Sequence, residues 1–341
     1  METKILQNTD REIAYAAELL RQGEAVGMPT ETVYGLGCDA GNPDAVKKVF
    51  AAKGRPADNP LIVHIADLAD WAPLVQEIPP LAKKLAERFW PGPLTVILPR
   101  TDAVPAITAG GLDTVGVRFP AHPVAQALIR AAGVPVAAPS GNRSGSPSPT
   151  NAAHMFADMD GRIPAILDGG SCICGVESTV IQLDDAESVR VLRPGFVTPE
   201  QLQTVAAHVT VDPAVLAKVT EGTVVRSPGM KYRHYAPKAK VTLVQGDQPH
   251  FLAYMKQHTG SGVYALCFDA DVPLCEAAGI CCMPYGDTDE ARAAAFFSSL
   301  RELDALGASH VYVRAPRTDG VGLAVYNRLI RAAGYDIVRA G

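Results

Sequence analysis

The stretch Lys53-Gly54-Arg55-Pro56-Ala57-Asp58-Asn59-Pro60-Leu61-Ile62-Val63-His64-Ile65 decides the fold of the first half of the chain. Its last five residues are apolar apart from His64, a pattern that is typical of a buried strand. A glycine and two prolines stiffen the loop before that strand, so we expect Lys53 and Arg55 to be held in fixed positions. The alternative interpretation is a solvated turn followed by an ordinary core histidine.

The composition is that of a globular protein with reduced cysteines. The chain has 341 residues, 48% of them hydrophobic, and its net charge of −5 argues against a protein that coats nucleic acid. Seven irregularly spaced cysteines and the lack of a long apolar run predict a cytoplasmic protein without membrane contact. Cys172, Cys174, Cys281 and Cys282 lack the ligand spacing of a metal site, so the sequence predicts none.

The order of apolar segments predicts an α/β protein with two domains and a linker. Strands and helices alternate irregularly over residues 1–208, which favours a mixed twisted sheet with helices. Residues 241–341 alternate regularly and predict a small Rossmann-like α/β domain. Residues 209–240 form the predicted linker, whose part from Arg226 to Lys240 carries five cations and no acid. We interpret it as a lid over a ligand site, and the alternative is a basic connector that contacts nothing.

Capping residues locate the first helices. Asp10 is expected to cap a helix that runs to about Arg21. Asn42 as the cap and Pro43 at the first helical position predict a second helix, which ends near Ala52 and leads into Lys53.

Common nucleotide-binding motifs are weak or missing. Gly35-x-Gly37-x-x-Ala40 is spaced like a dinucleotide fingerprint, but polar residues occupy the strand that should precede it. The sequence has neither a P-loop nor a Gly-x-Ser-x-Gly nucleophile elbow. Cations and hydroxyl groups lie instead at strand ends and in the polar loop 139–150, and we expect several of them to converge on one cleft that binds phosphate or carboxylate.

Several of these segments together resemble a known family. Lys53-x-Arg55 with Ser140-x-Asn142 is similar to the signature of the YrdC-like domain. Residues 29–37, 89–95, 176–180, 193–195 and 227–237 resemble the long form of the threonylcarbamoyl-AMP synthase family. The resemblance covers the first domain and the linker and is looser over 241–341. It implies a YrdC-like fold and a nucleotidyltransferase that joins L-threonine, bicarbonate and ATP into threonylcarbamoyl-AMP and releases pyrophosphate.

The resemblance also implies roles for individual residues. The threonine-binding residues would be Thr32, His64, Arg118 and Ser178. The ATP-binding residues would be Arg55, Asn59, Thr114, Ser140, Asn142, Ser148, Arg193, His234 and Tyr235. Lys53 and Arg55 are the expected catalytic cations, and Mg²⁺ would help them to neutralise phosphate charge. No residue is assigned as a metal ligand.

The implied partners are the substrates and a separate tRNA threonylcarbamoyl transferase complex, which would place the product's threonylcarbamoyl group next to the anticodon of tRNA. Any RNA contact of this chain would be weak or transient. One alternative is an RNA-binding module of YrdC-like fold without synthase activity, against which the acidic first domain counts. Another is the carbamoyl-transfer domain of a hydrogenase-maturation protein, but the chain lacks the acylphosphatase and zinc-finger segments of that assembly.

Overall fold

A computed structural model describes residues 2–217 and 235–341. The described residues form two compact units, one of residues 2–144 and 148–217, the other of residues 145–147 and 235–341. His234 and most of the basic segment from Arg226 to Lys240 lie outside the described residues, so the lid stays a prediction. Within the described ranges, no helix has both the length and the apolar character needed to cross a membrane.

The first unit is built on a mixed sheet of eleven strands, in the order β1-β8-β2-β3-β7-β4-β6-β5-β9-β10-β11. Its strands are β1 (Lys4–Leu6), β2 (Val26–Met28), β3 (Gly35–Asp39), β4 (Ile62–His64), β5 (Leu94–Pro99), β6 (Thr114–Arg118), β7 (Val136–Ala137), β8 (Ala165–Leu167), β9 (Thr179–Leu183), β10 (Ser188–Arg193) and β11 (His208–Val211). Its helices are α1 (Asp10–Arg21), α2 (Pro43–Lys53), α3 (Pro80–Phe89), α4 (Pro123–Ala132), α5 (Ala152–Met159) and α6 (Pro199–Leu202). β4 pairs with β6 in parallel and β5 pairs with β6 antiparallel, which confirms the predicted mixed sheet.

The second unit is a small parallel α/β domain. Its strands are β12 (Lys240–Gln245), β13 (Val263–Cys267), β14 (Cys282–Pro284), β15 (His310–Arg314) and β16 (Ile337–Arg339). Its helices are α7 (Gln248–Lys256), α8 (Val272–Ala277), α9 (Asp289–Ala305) and α10 (Gly322–Ala332). The five strands lie in the order β14-β13-β15-β12-β16, and every neighbouring pair is parallel. The predicted Rossmann-like character is confirmed.

Two apolar clusters lie on opposite faces of one half of the large sheet. Along β2 and the residue before it, Ala25 belongs to one cluster and Val26 to the other, as the alternation of side chains in a strand requires. Helix α2 contributes Val49 to the first cluster, and α1 and α4 contribute Leu20 and Leu128 to the second. The sheet is therefore covered on both faces at β2, β7 and β8, and buried polar side chains elsewhere along it need specific partners.

The caps agree with the sequence for one helix and correct it for another. The Asn42 side chain accepts hydrogen bonds from two backbone N–H groups at the start of α2, as predicted. The cap of α1 is Thr9 and not Asp10. Thr9 has the extended backbone of a cap, and Asp10 is the first helical residue, where an acid is favoured by the positive end of the helix dipole.

The Gly35-x-Gly37-x-x-Ala40 spacing does not mark a dinucleotide-binding turn. Gly35 and Gly37 lie inside β3, which pairs with β2 on one side and β7 on the other. A Cβ on Gly37 would lie 2.9 Å from a side-chain carbon of Val136. Close packing between strands, and not approach to a pyrophosphate, accounts for this glycine.

Gly195, which follows β10, lies against neighbouring backbone, and a substitution tests how tight this packing is. A Cβ added there would lie 2.3 Å from the backbone nitrogen of Thr179 and 2.7 Å from the carbonyl oxygen of Glu177. Gly195→Ala should lower the free energy of unfolding by about 1–3 kcal/mol, because overpacking must push these backbones apart. Gly41→Ala is the matched control, since an added Cβ there meets nothing closer than 3.5 Å. Its effect should stay below about 0.5 kcal/mol. Urea unfolding measures both, and equal midpoints for the two variants would contradict the prediction.

Candidate active site

Two polar side chains lie at the same end of adjacent parallel strands. His64 ends β4, Arg118 ends β6, and the two residues are register partners. Both are buried, with exposed fractions of 3% and 4%. The apolar segment before His64 therefore forms a buried strand, as predicted, and this strand carries the imidazole to a place beside a guanidinium.

Arg118 is held by three groups from two loops. One terminal nitrogen, Nη2, lies 2.7 Å from Oε1 of Glu31, and Glu31 is also buried. The other terminal nitrogen donates to Oγ1 of Thr32 at 2.9 Å, and Nε donates to the carbonyl oxygen of Gly92 at 3.3 Å. A buried ion pair needs such additional hydrogen bonds, because desolvation of both charges is costly.

The same contacts leave Arg118 able to bind an anion. A guanidinium has five N–H groups, and the hydrogen bonds to Thr32 and Gly92 use two of them. Nη2 lies beside Glu31 as an ion pair but makes no hydrogen bond within the described part of the chain. One N–H on Nη1 and both on Nη2 therefore remain there. Two such donors side by side are what a bidentate carboxylate requires.

His64 is neutral in this environment. Burial, followed by the charge of Arg118, lowers the pKa of His64 to about 3. Its Nδ1 lies 3.2 Å from the carbonyl oxygen of Ile62. At neutral pH the imidazole therefore carries no positive charge, but its ring nitrogens can still form hydrogen bonds.

Ser178 is fixed by two side chains from neighbouring strands. Its hydroxyl lies 2.8 Å from that of Thr95 on β5. Arg193, at the end of β10, donates from Nε to the Ser178 carbonyl at 3.1 Å and from Nη2 to its hydroxyl at 3.2 Å. All three residues are buried. Two predicted site residues, one assigned to threonine and one to ATP, are thus in direct contact.

Lys53 explains why the two halves of the family signature occur together. Its Nζ donates to the carbonyl oxygens of Ser140 and of Asn142, the latter at 2.7 Å. The side chain is buried, and burial, followed by the nearby charge of Arg55, holds the pKa of Lys53 well below its usual value. Lys53 thereby fixes the backbone of the loop that carries Ser140 and Asn142.

The polar loop that follows β7 is anchored by hydrogen bonds instead of apolar contacts. The Tyr34 carbonyl accepts from Gly141 N–H, and Tyr34 N–H donates to the Pro149 carbonyl, both at 2.8 Å. The Ser148 hydroxyl donates to Oε1 of Glu177 at 2.6 Å. Both flanks of the loop are therefore held in place.

The remaining predicted site residues lie in several places. Nη2 of Arg55 donates to the Asn59 carbonyl at 3.3 Å, and Asn59 is buried. Thr114 begins β6 and is partly exposed. Tyr235 belongs to the second unit, where its ring centre lies 5.3 Å from that of Phe297. His234 is outside the described residues.

Glu31, Thr95 and Glu177 are not among the residues that the sequence predicts for the site. Each is buried and contacts a predicted site residue. The signal for Glu31 was an acid between two threonines directly before a strand, because a buried arginine requires an acidic partner. The sequence could not pair it with Arg118, which is distant along the chain.

The mixed sheet and its helices define the class of the first unit, a YrdC-like fold that holds buried polar side chains at its strand ends. The sequence profile of the Sua5/YciO/YrdC family, described as "Telomere recombination", matches residues 18–195. A second profile, described as "Threonylcarbamoyl-AMP synthase, C-terminal domain", matches residues 197–334.

Individual relatives are similar over the whole chain. The threonylcarbamoyl-AMP synthase of Pyrococcus abyssi is 45% identical over 340 residues, which are 96% of this chain and 95% of that protein. The synthase of Bacillus subtilis is 44% identical and covers 99% and 97% of the two chains. The crystal structure of P. abyssi Sua5 complexed with L-threonine matches all of both chains at 41% identity with a TM-score of 0.90. The chain belongs to the threonylcarbamoyl-AMP synthase family.

The buried imidazole predicts a loss of stability in acid. Below its ordinary pKa of 6.5, His64 of the unfolded chain binds a proton, whereas in the folded protein it stays neutral down to about pH 3. The contribution of neutral His64 to the free energy of unfolding is therefore complete above pH 6.5. Below that pH it falls by about 1.4 kcal/mol per pH unit.

The variant His64→Gln has no imidazole at this position, so its stability should not depend on the titration of residue 64. Urea unfolding at a series of pH values from 7 to 4.5 gives the free energy of unfolding of both proteins. The free energy of unfolding of the wild type, relative to that of the variant, should fall steadily as the pH decreases below 6.5. A difference that does not depend on pH would contradict the assignment of a buried neutral histidine.

Proposed function

We propose that this chain condenses L-threonine, bicarbonate and ATP to threonylcarbamoyl-AMP and releases pyrophosphate. The adenylyl group moves from pyrophosphate to a carbamate, so the enzyme is a nucleotidyltransferase. The observation that carries the proposal is Arg118, a buried cation beside the Thr32 hydroxyl whose Nη2 makes no hydrogen bond among the described residues. The L-threonine bound in the P. abyssi structure supports it.

Threonine is bound, in this proposal, through both ends of the amino acid. Arg118 pairs with the carboxylate, and Thr32, Ser178 and neutral His64 supply the surrounding polar groups. A site whose buried donors and acceptors are completed by a substrate hydroxyl discriminates strongly against analogues without it, because those groups are then left unpaired.

The chemistry requires positioning and charge neutralisation. The neutral threonine amine attacks the carbon of bicarbonate, a C–O bond breaks with loss of water, and a carbamate forms. A carbamate oxygen then attacks the α-phosphorus of ATP, and pyrophosphate leaves. We propose Lys53 and Arg55 as the catalytic cations, with no covalent protein nucleophile. Lys53 contributes partly through the loop whose carbonyls it binds, so loss of its side chain should also displace Ser140 and Asn142.

ATP would lie among the cations and hydroxyl groups of the first unit. The proposed contacts are Arg55, Asn59, Thr114, Ser140, Asn142, Ser148, Arg193, His234 and Tyr235. Mg²⁺ enters with ATP as part of the substrate, and we assign it no protein ligand.

The product is a reactive mixed anhydride, so we propose that it passes in the cytoplasm to a tRNA threonylcarbamoyl transferase complex. Contact of this chain with RNA would be transient at most. The alternative of an RNA-binding module without synthase activity is disfavoured, because relatives named as the synthase match the chain over nearly its full length.

Release of pyrophosphate tests the reaction. The purified chain with Mg²⁺ and ATP should release pyrophosphate only when threonine and bicarbonate are both present, and a threonylcarbamoyl-AMP mass should appear. Serine should be a much poorer substrate than threonine. Equal turnover without any amino acid would leave only a nucleotide hydrolase and would refute the proposal.

The role of Arg118 can be separated from that of the other cations. Arg118→Ala should weaken threonine binding about 10–150-fold, the effect of losing a charge-assisted contact, and should change ATP binding little. Arg55→Ala is the control and should act on ATP or on turnover. Isothermal titration of each ligand measures both affinities.

Removal of Arg118 alone leaves Glu31 buried without its cation, which can destabilise the fold. The double variant Glu31→Gln with Arg118→Ala removes that charge and should show the same selective loss of threonine binding. Unchanged threonine affinity in a folded variant would show that the carboxylate is bound elsewhere.

A further inference from the structure

Three cysteine thiols meet in the second unit. Cys267 ends β13, Cys275 lies in α8 and Cys282 begins β14. Their sulfur atoms all lie within 4.8 Å of one another. Cys267 and Cys275 are fully buried in the apolar cluster of this unit, and the partly buried Cys282 packs against it. None of the three has a role in the proposed synthase reaction.

The strand register brings two of the thiols to one face of the sheet. β13 and β14 are parallel, with Ala265 opposite Cys282. Ala265 and Cys267 are two residues apart, so they point to the same face, and Cys282 points there too. Helix α8 connects the two strands in the chain and packs against β14. A single β-α-β unit therefore assembles the three thiols.

The sulfur spacing fits a single bound ion. Zinc–sulfur bonds of about 2.3 Å place sulfur atoms about 3.8 Å apart in a tetrahedral site and about 4.0 Å apart in a trigonal one. Because the three sulfurs already lie within 4.8 Å of one another, small side-chain rotations would complete the geometry.

We propose that Cys267, Cys275 and Cys282 bind one soft closed-shell cation of the class of Zn²⁺, Cd²⁺ and Cu⁺. Sulfur ligands select such ions over Mg²⁺ and Ca²⁺. In the described part of the chain, no histidine or carboxylate joins the group, so water completes a four-coordinate ion. β14 is an edge strand and Cys282 is partly exposed, which gives the ion a route from solvent.

Binding exchanges protons for the ion. Burial, followed by the neighbouring thiol of Cys282, raises the pKa of Cys275 to about 11, and burial also raises the pKa values of Cys267 and Cys282. The thiols are therefore protonated at neutral pH. A divalent cation forms three sulfur–metal bonds and releases three protons to water, without any change of oxidation state.

Ordinary packing is the competing explanation, because cysteine is a small apolar residue that is often buried. The sequence alone favours it, since the three cysteines do not have the close spacing of a zinc motif. Packing requires only that the three side chains fill the available volume, whereas binding of the ion requires all three sulfur atoms together. Single substitutions to alanine therefore distinguish the two explanations.

Titration of the reduced full chain with Cd²⁺ tests the proposal. Charge-transfer absorption of cadmium–thiolate bonds should rise and saturate at one Cd²⁺ per chain, and excess Zn²⁺ should reverse it. The melting temperature should rise with the free ion concentration, because the ion binds the folded state. Cys275→Ala should abolish the saturating step. Cys281→Ala is the matched control, because Cys281 is exposed, adjacent to Cys282 and outside the cluster.

The absence of a saturating step would overturn the proposal, and so would its survival in Cys275→Ala. Loss of the step in Cys281→Ala, with retention in Cys275→Ala, would place the ion at the surface and would also overturn it. If circular dichroism shows that Cys275→Ala is unfolded, Cys282→Ala replaces it with the same expected loss, since Cys282 is partly exposed. The readout is independent of synthase activity.

Discussion

The buried ion pair of Arg118 and Glu31 is the constraint on which the candidate active site depends. A charge at the end of a buried strand is tolerated only when its partner and its hydrogen-bond acceptors are in place, and removal of one partner of such a pair typically costs about 3–5 kcal/mol. The pair therefore ties the loop that carries Thr32 to the end of β6 before any substrate arrives. The site is preorganised because its own stability demands it.

The second buried cation is accommodated in a different way. Lys53 is bound by backbone carbonyls, and its pKa is lowered by burial, whereas the guanidinium of Arg118 is paired with a carboxylate. Arginine suits a fixed, bidentate contact, while an amine can lose its proton when it is buried. The two buried basic side chains of the first unit are thus held by different kinds of acceptor, backbone carbonyls for Lys53 and a carboxylate for Arg118.

Local sequence patterns predicted many of the helices and strands, but they did not predict which residues distant along the chain come into contact. Asn42 and Pro43 identified the start of α2 because a cap acts within one turn. β3 was missed because its glycines and polar neighbours are not typical of a strand; it forms because β2 and β7 pair with it on both sides. The contact between Lys53 and the loop at Ser140, and the three-thiol cluster, likewise depend on which strands become neighbours, which no local pattern contains.

The strand order of the large sheet has a consequence for synthesis on the ribosome. β1 pairs with β8, so Lys4 meets Ala165, and β5 pairs with β9. Pairings this distant along the chain close slowly, since much chain entropy is lost before the contacts form. The central strands β4 and β6 have both neighbours once β7 has emerged, but β1, β2 and β5 wait for β8 and β9, which end at residues 167 and 183. Until then its apolar edges are open to aggregation, a period in which chaperones would be needed.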